Sequence, residues 1–78
     1  MTKVATKLTA AFAAAVKRHR KRRGISQEKL AESAAVHRTY VGLIERGERT
    51  PTIDVAERIA KAFGLSLSAL IKEAEREL

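Results

Sequence analysis

Between Ser26 and Arg46 the chain reads SQEKLAESAAVHRTYVGLIER, and its apolar positions recur at helical rather than alternating spacing. Ser26 is placed to cap a helix opened by Gln27 and Glu28, with Leu30, Ala31 and Ala34 on one face. After a turn at Ala35-Val36, the pattern predicts a second short helix from His37 to Arg46. At 100° per residue, Tyr40, Val41 and Ile44 share one side of it, and Arg38, Thr39, Gly42, Leu43 and Arg46 share the other. That outward stripe, polar in the main and out of place in a core, holds two guanidinium groups, a hydroxyl with its methyl, a glycine and a leucine. They suit the edges of DNA bases better than plain water. The unit is therefore expected as helices 27–34 and 37–46, with the outward side of the second available for recognition.

The flanking chain extends the helical pattern. Residues 1–7 are polar and without periodicity, and are expected to form a flexible N-terminus. A helix follows from Leu8 or Thr9 to Arg22, with Leu8, Phe12, Ala15, Val16 and His19 at helical spacing and Gly24 as its stop. Gly47 to Pro51 reads as a loop. Thr52 caps a fourth helix whose buried face is Ile53, Ala56, Ile59, Ala60 and Phe63, and Gly64 ends it. Ser66 opens a fifth helix over 66–77, with Leu67, Leu70, Ile71, Ala74 and Leu78 along one line. Strand-like alternation and repeats are absent. The expected fold is all-α, five helices in one compact bundle over residues 8–78.

Charge sharpens the picture. The 78 residues carry a net charge of +7, and it is unevenly placed. Met1 to Thr50 holds twelve Lys and Arg against four Glu, whereas Pro51 to Leu78 holds four against five acids. The excess lies with the two-helix unit, and such an asymmetric field draws a polyanion to one side. The densest run is KRHRKRR from Lys17 to Arg23. Cations at a helix C-terminus are favoured by its dipole, so part of the run is expected to be solvated and part to lie near phosphates.

Other chemistry is sparse. Cysteine is absent, which excludes disulfides and zinc–thiolate sites and fits a reducing cytosol. No apolar run reaches the ~18 residues of a membrane span, and no signal peptide is visible. His19 is expected to be half-buried and hydrogen-bonded, and His37 to touch a phosphate. Neither has a partner at metal-ligand spacing, and no nucleophile–base pair, acid/base pair or phosphate-cradling glycine loop is present. The reading is of a non-enzyme without metal, cofactor or small-molecule effector.

GISQEKLAESAAVHRTYVGLIERGERTP resembles the central segment of the Cro/repressor-type helix-turn-helix family, also called the XRE family. The shared features are Leu30-Ala31, Val36 after the turn, Val41 and Ile44, then Glu45-Arg46-Gly47, and the likeness runs from about Phe12 to Leu70. HRTYVGLIERGERTP is most similar to the controller proteins of bacterial restriction–modification systems. The resemblance implies a lambda-repressor-like domain in which the helix from His37 enters the major groove and the helix from Gln27 crosses the backbone. Base contacts are then expected from Arg38, Thr39 and Leu43, with Arg46 reaching either a base or the backbone. Gln27, His37, Arg49 and Arg20 are expected at phosphates, and Tyr40 either there or in the core. Gly42 is expected to let the helix approach the duplex closely. Arg20 and Glu45 resemble a pair that bridges the first and third helices in this family. One departure is Ala35, where the family usually has glycine at positive φ; an L-residue there costs about 1–2 kcal/mol.

These domains usually act as twofold dimers on half-sites about 34 Å apart. Leu67, Leu70 and Ile71 on the fifth helix, with Ile53, are expected to divide between the core and a symmetric partner. The leading expectation is a cytoplasmic, nucleoid-associated homodimer that binds a near-palindromic operator in double-stranded DNA and regulates transcription. Two alternatives share the fold: an antitoxin-type protein that also binds a toxin, and a nonspecific nucleoid binder with little duplex preference.

Overall fold

The computed structural model describes residues 6–78 and consists of five helices: α1 (Lys7–Arg22), α2 (Gln27–Ala34), α3 (Arg38–Glu45), α4 (Ile53–Ala62) and α5 (Leu67–Glu75). Each begins where a side chain satisfies an orphan backbone N–H. The Thr6, Ser26, Thr52 and Ser66 hydroxyls accept from the backbone of Thr9, Lys29, Val55 and Ala69. His37 does the same for α3, its Nδ1 accepting from the Thr39 N–H at 3.1 Å. Of the expected flexible segment, Met1 to Ala5 lies outside the described residues. Thr6 and Lys7 differ from that expectation, because the Thr6 cap starts α1 at Lys7.

Helix ends are just as local. Gly24 and Gly64 take positive φ after α1 and α4, the conformation an L-residue resists. Ala35 takes it after α2, at φ 58° and ψ 46°, as the departure from glycine implied. Its neighbour Val36 donates to the Ala31 carbonyl at 3.0 Å, closing the helix with a Schellman-type bond. Arg58 of α4 adds a side-chain cap, its Nε donating to the Ala34 carbonyl at 2.9 Å. The turn is therefore held from both sides despite its strained residue. At the other end of the chain, α5 stops at Glu75 rather than running to residue 77, the last residues closing in turns.

The core joins Phe12 and Val16 of α1, Leu30 of α2, Val41 and Ile44 of α3, Ile59 of α4 and Leu70 of α5. Leu70 is 0% exposed, which corrects its expected share in a dimer contact. It faces inward because Ala74, one turn on, sets the buried line of α5, while Leu67 and Ile71 lie to the side. Ile53 is the opposite case. It opens α4 at 78% exposure and does not join the buried face expected of it, which is Val55, Ala56, Ile59 and Ala60.

α1 and α5 are also tied by polar groups. His19 is 5% exposed, stacked on Phe63 with ring centroids 5.3 Å apart. Arg23 Nη1 lies 3.0 Å from its Nδ1, and Glu73 Oε1 lies 2.8 Å from its Nε2. A guanidinium only donates, so Nδ1 is the acceptor and Nε2 donates its proton to the carboxylate. Arg18 also bonds Glu73, at 3.0 Å, and reaches Glu77 at 2.9 Å. The hydrogen bonds from His19 and Arg18 hold the Glu73 carboxyl below its ordinary range, against a smaller opposing effect of burial. Much of the basic run is thus consumed inside the molecule, whereas Lys17, Lys21 and Arg22 stay exposed.

Candidate nucleic-acid interface

The orientation of α3 is fixed by one buried ion pair. Arg20 Nε donates to Glu45 Oε2 at 2.7 Å and Nη2 donates to Oε1 at 3.1 Å, a bidentate fork between α1 and the last residue of α3. Arg20 Nη1 also donates to the Ile25 carbonyl at 2.9 Å. Gln27 Nε2 donates to Glu45 Oε1 at 3.0 Å, bringing the first residue of α2 into the same cluster. The two charged side chains are only 12% and 2% exposed. Charges so deeply buried are costly unless their oxygens and N–H groups are matched, and here they are matched.

This cluster bears on two expectations. Arg20 spends three of its five N–H groups on Glu45 and Ile25, which makes it a positioning group for α3, and one N–H on each of Nη1 and Nη2 is left over. Gln27 commits one N–H of its side-chain amide to Glu45. The family resemblance paired Arg20 with Glu45 but gave no signal for the third member. Gln27 and Glu45, 18 positions apart, meet only through the angle between α2 and α3.

The outward side of α3 carries the rest. Arg38 and Thr39 are exposed, Leu43 is half-buried, and Arg46 is exposed just beyond the helix. Gly42 lies between them, buried beneath the Gln27 and Arg46 side chains. A Cβ there would come within 3.2 Å of Arg46 Nη1 and 3.4 Å of Gln27 Oε1. The missing side chain therefore makes room for Gln27 and Arg46 to lie across the helix. His37 caps α3 through Nδ1, so its neutral ring carries the proton on Nε2, available as an outward donor. Tyr40 is half-buried, and the Arg49 guanidinium lies 5.6 Å from its ring centroid. Together His37, Thr39, Tyr40, Leu43 and Arg49 line one shallow surface depression.

Two more glutamates reach this face. Glu28 Oε1 lies 3.8 Å from Arg38 Nη1, and Glu48 Oε2 lies 3.3 Å from Arg46 Nε. Among the described residues no three His, Asp or Glu side chains gather as a metal site would require. No helix among them is long and apolar enough to cross a membrane.

The sequence pattern that defines the Helix-turn-helix family matches residues 16–70. The chain belongs to that family. It is 41% identical over 56 residues to the control protein C.SmaI of Serratia marcescens, covering 72% of this chain and 67% of that protein. To the control protein C.BamHI of Bacillus amyloliquefaciens it is 47% identical over 47 residues, covering 60% of this chain and 58% of that one. Among solved structures, the restriction–modification controller protein C.AhdI of Aeromonas hydrophila superimposes with a TM-score of 0.76 at 31% identity, over 80% of this chain and 94% of that one. The controller protein C.Esp1396I gives 0.81 at 31% identity, over 90% of each. The all-α, five-helix architecture is the one these relatives share, and its family of transcriptional regulators is the one the sequence resembles.

The remaining candidate surface is apolar. Leu8, Phe12, Pro51, Ile53, Leu67 and Ile71 line a groove of about 160 Å³ between α1, α4 and α5. Three of the four residues expected at a dimer contact, Ile53, Leu67 and Ile71, border it, whereas Leu70 lies beneath.

Proposed function

We propose that this protein is a sequence-specific transcriptional regulator that binds a near-palindromic operator as a homodimer, in the manner of a restriction–modification controller. The observation that carries the reading is the outward set of exposed Arg38 and Thr39, half-buried Leu43 and exposed Arg46, on and just beyond a helix whose base is locked by the Arg20–Glu45–Gln27 cluster. Precise recognition needs a rigid support, since a bidentate arginine–guanine contact worth about 1–3 kcal/mol is lost when the fork is misaimed. In this reading Arg38 addresses guanine O6 and N7, Thr39 and Leu43 meet a base edge or a thymine methyl, and Arg46 unfolds from Gly42 toward a base. The α2 N-terminus at Gln27, the His37 Nε2 proton, Arg49 and the Tyr40 hydroxyl hold the flanking phosphates.

The homodimer is supported by the exposed Ile53 beside the groove of Leu67 and Ile71. A second copy burying that groove covers the most exposed large apolar side chain among the described residues, and a twofold dimer of this family's kind presents its two recognition helices about 34 Å apart, one duplex turn. The protein then works in the cytoplasm on the nucleoid, and neither catalysis nor a small effector is part of the reading.

Selection of bound fragments from random duplex DNA at stated salt tests it. A recovered site with two related half-sites one helical turn apart supports the proposal, and a library without enrichment overturns it.

A further inference from the structure

Two of the three arginines on the proposed reading face lie beside carboxylates on that same face, Arg38 at 3.8 Å from Glu28 and Arg46 at 3.3 Å from Glu48. Arg46 is doubly placed, because its Nη1 also lies where a Cβ of Gly42 would be crowded. Arg49 lies instead over the Tyr40 ring. The four paired side chains are each more than half exposed, so the pairs add little to stability, about 0–1 kcal/mol each. Stability does not account for two acids on a surface that meets a polyanion. The face holds three arginines against two glutamates, far less positive than the chain's +7 suggests.

We propose that Glu28 and Glu48 are specificity-determining residues that weaken the grip of Arg38 and Arg46 on phosphate more than their grip on bases. The inference rests on the DNA-reading role proposed above. An arginine meets a phosphate as charge meets charge, an attraction that reaches several ångströms. A carboxylate within about 4 Å of the guanidinium offsets that attraction and itself repels the phosphate. Guanine O6 and N7 are neutral acceptors, engaged only at hydrogen-bond range. Against them the carboxylate repels little. Binding to arbitrary duplex is essentially all phosphate electrostatics, so the penalty falls mainly there. The ratio of operator to arbitrary binding rises although total affinity falls.

The test compares the wild type with Glu28→Gln, Glu48→Gln and the double variant. Binding is read by fluorescence anisotropy on the selected operator and on a scrambled duplex of equal length, from about 50 to 200 mM salt. Glu32→Gln serves as the control, since Glu32 is an exposed acid on α2 paired with Lys29 and not with a reading arginine. The double variant is expected to bind scrambled duplex at least about tenfold tighter and the operator less than about threefold tighter. Its salt dependence on scrambled duplex steepens by about one to two units, about 0.9 for each further phosphate neutralised. Equal shifts on both duplexes, no shift on either, or an equal loss of selectivity in Glu32→Gln each overturn the inference. So does a fall in operator binding with scrambled binding unchanged, which would make the glutamates direct base contacts. Thermal melting of every variant separates these outcomes from loss of fold, and the single variants report separately if the double one unfolds. A wild type without operator preference sinks the parent reading as well, whereas a selective wild type whose ratio the variants leave unchanged sinks this inference alone.

Discussion

Replacing Ala35 with glycine should stabilise the protein, although it removes a methyl group. Ala35 sits at φ 58° and ψ 46°, where Cβ crowds the following carbonyl at a cost of about 1–2 kcal/mol. Glycine has no such cost but is freer in the unfolded chain, which returns about 0.4–1 kcal/mol. Ala35 is exposed, so no cavity forms and no packing is lost. The backbone bonds that define the turn, Ala35 N–H to Glu32 O and Val36 N–H to Ala31 O, are available to either residue. The net gain therefore lies between about 0 and 1.6 kcal/mol, centred at about 0.8 kcal/mol. For a domain of this size about 1 kcal/mol raises the Tm by about 4–8 °C, so the central value corresponds to a rise of about 3–6 °C. Circular dichroism melts and urea titrations of both proteins measure it. A lower Tm refutes the claim that the α2–α3 turn is strained.

Other perturbations separate the roles assigned above. Glu45→Ala leaves the Arg20 guanidinium buried without its partner and should cost about 3–5 kcal/mol, close to the whole stability of a small single-core domain, as urea titration would show. Leu70→Ala should cost about 2–5 kcal/mol through a core cavity, read by the same titration. Ile53→Asp should leave the monomer's melting nearly unchanged but abolish concentration-dependent mass in sedimentation, and a variant that stays dimeric would remove Ile53 from the interface. Glu73→Gln tests the α1–α5 tie through pH. The folded carboxyl lies below its ordinary 4.5, so its contribution is complete above that value and is lost as pH falls through the folded one. The Tm gap between wild type and Glu73→Gln should be widest near neutral pH and narrow below 4.5.

What the amino-acid sequence disclosed was mostly what neighbouring residues decide. Ser26, Thr52 and Ser66 mark helix starts because a hydroxyl reaches an N–H three residues on, and Gly24 and Gly64 mark stops through positive φ. The strain at Ala35 was legible only through the family resemblance, which puts glycine at positive φ where this chain has alanine. Helical periodicity located most of the core, though it put Ile53 on the wrong side, because the first residue of a helix is not yet covered by a neighbour. Long-range angles were not legible. A wheel puts Gly42 on the outward side of its helix and Leu70 on an apolar line, but does not show that Gln27 and Arg46 cover the first or that the bundle closes over the second. His19 was expected to be hydrogen-bonded, yet its partners Arg23 and Glu73 come from a helix end and from α5. Glu28 and Glu48 looked like ordinary surface charge until the fold placed each beside a reading arginine.

The central claim is that the outward side of α3 reads DNA sequence, and Arg38→Ala tests it most directly. Binding of the wild type and the variant would be measured on the selected operator and on every single-base substitution of it, at one fixed salt concentration. The account predicts a variant that melts like the wild type, loses discrimination at one or two base pairs in each half-site by about 1–3 kcal/mol, and keeps its preferences elsewhere. A folded Arg38→Ala protein with the wild-type preference at every position would contradict it.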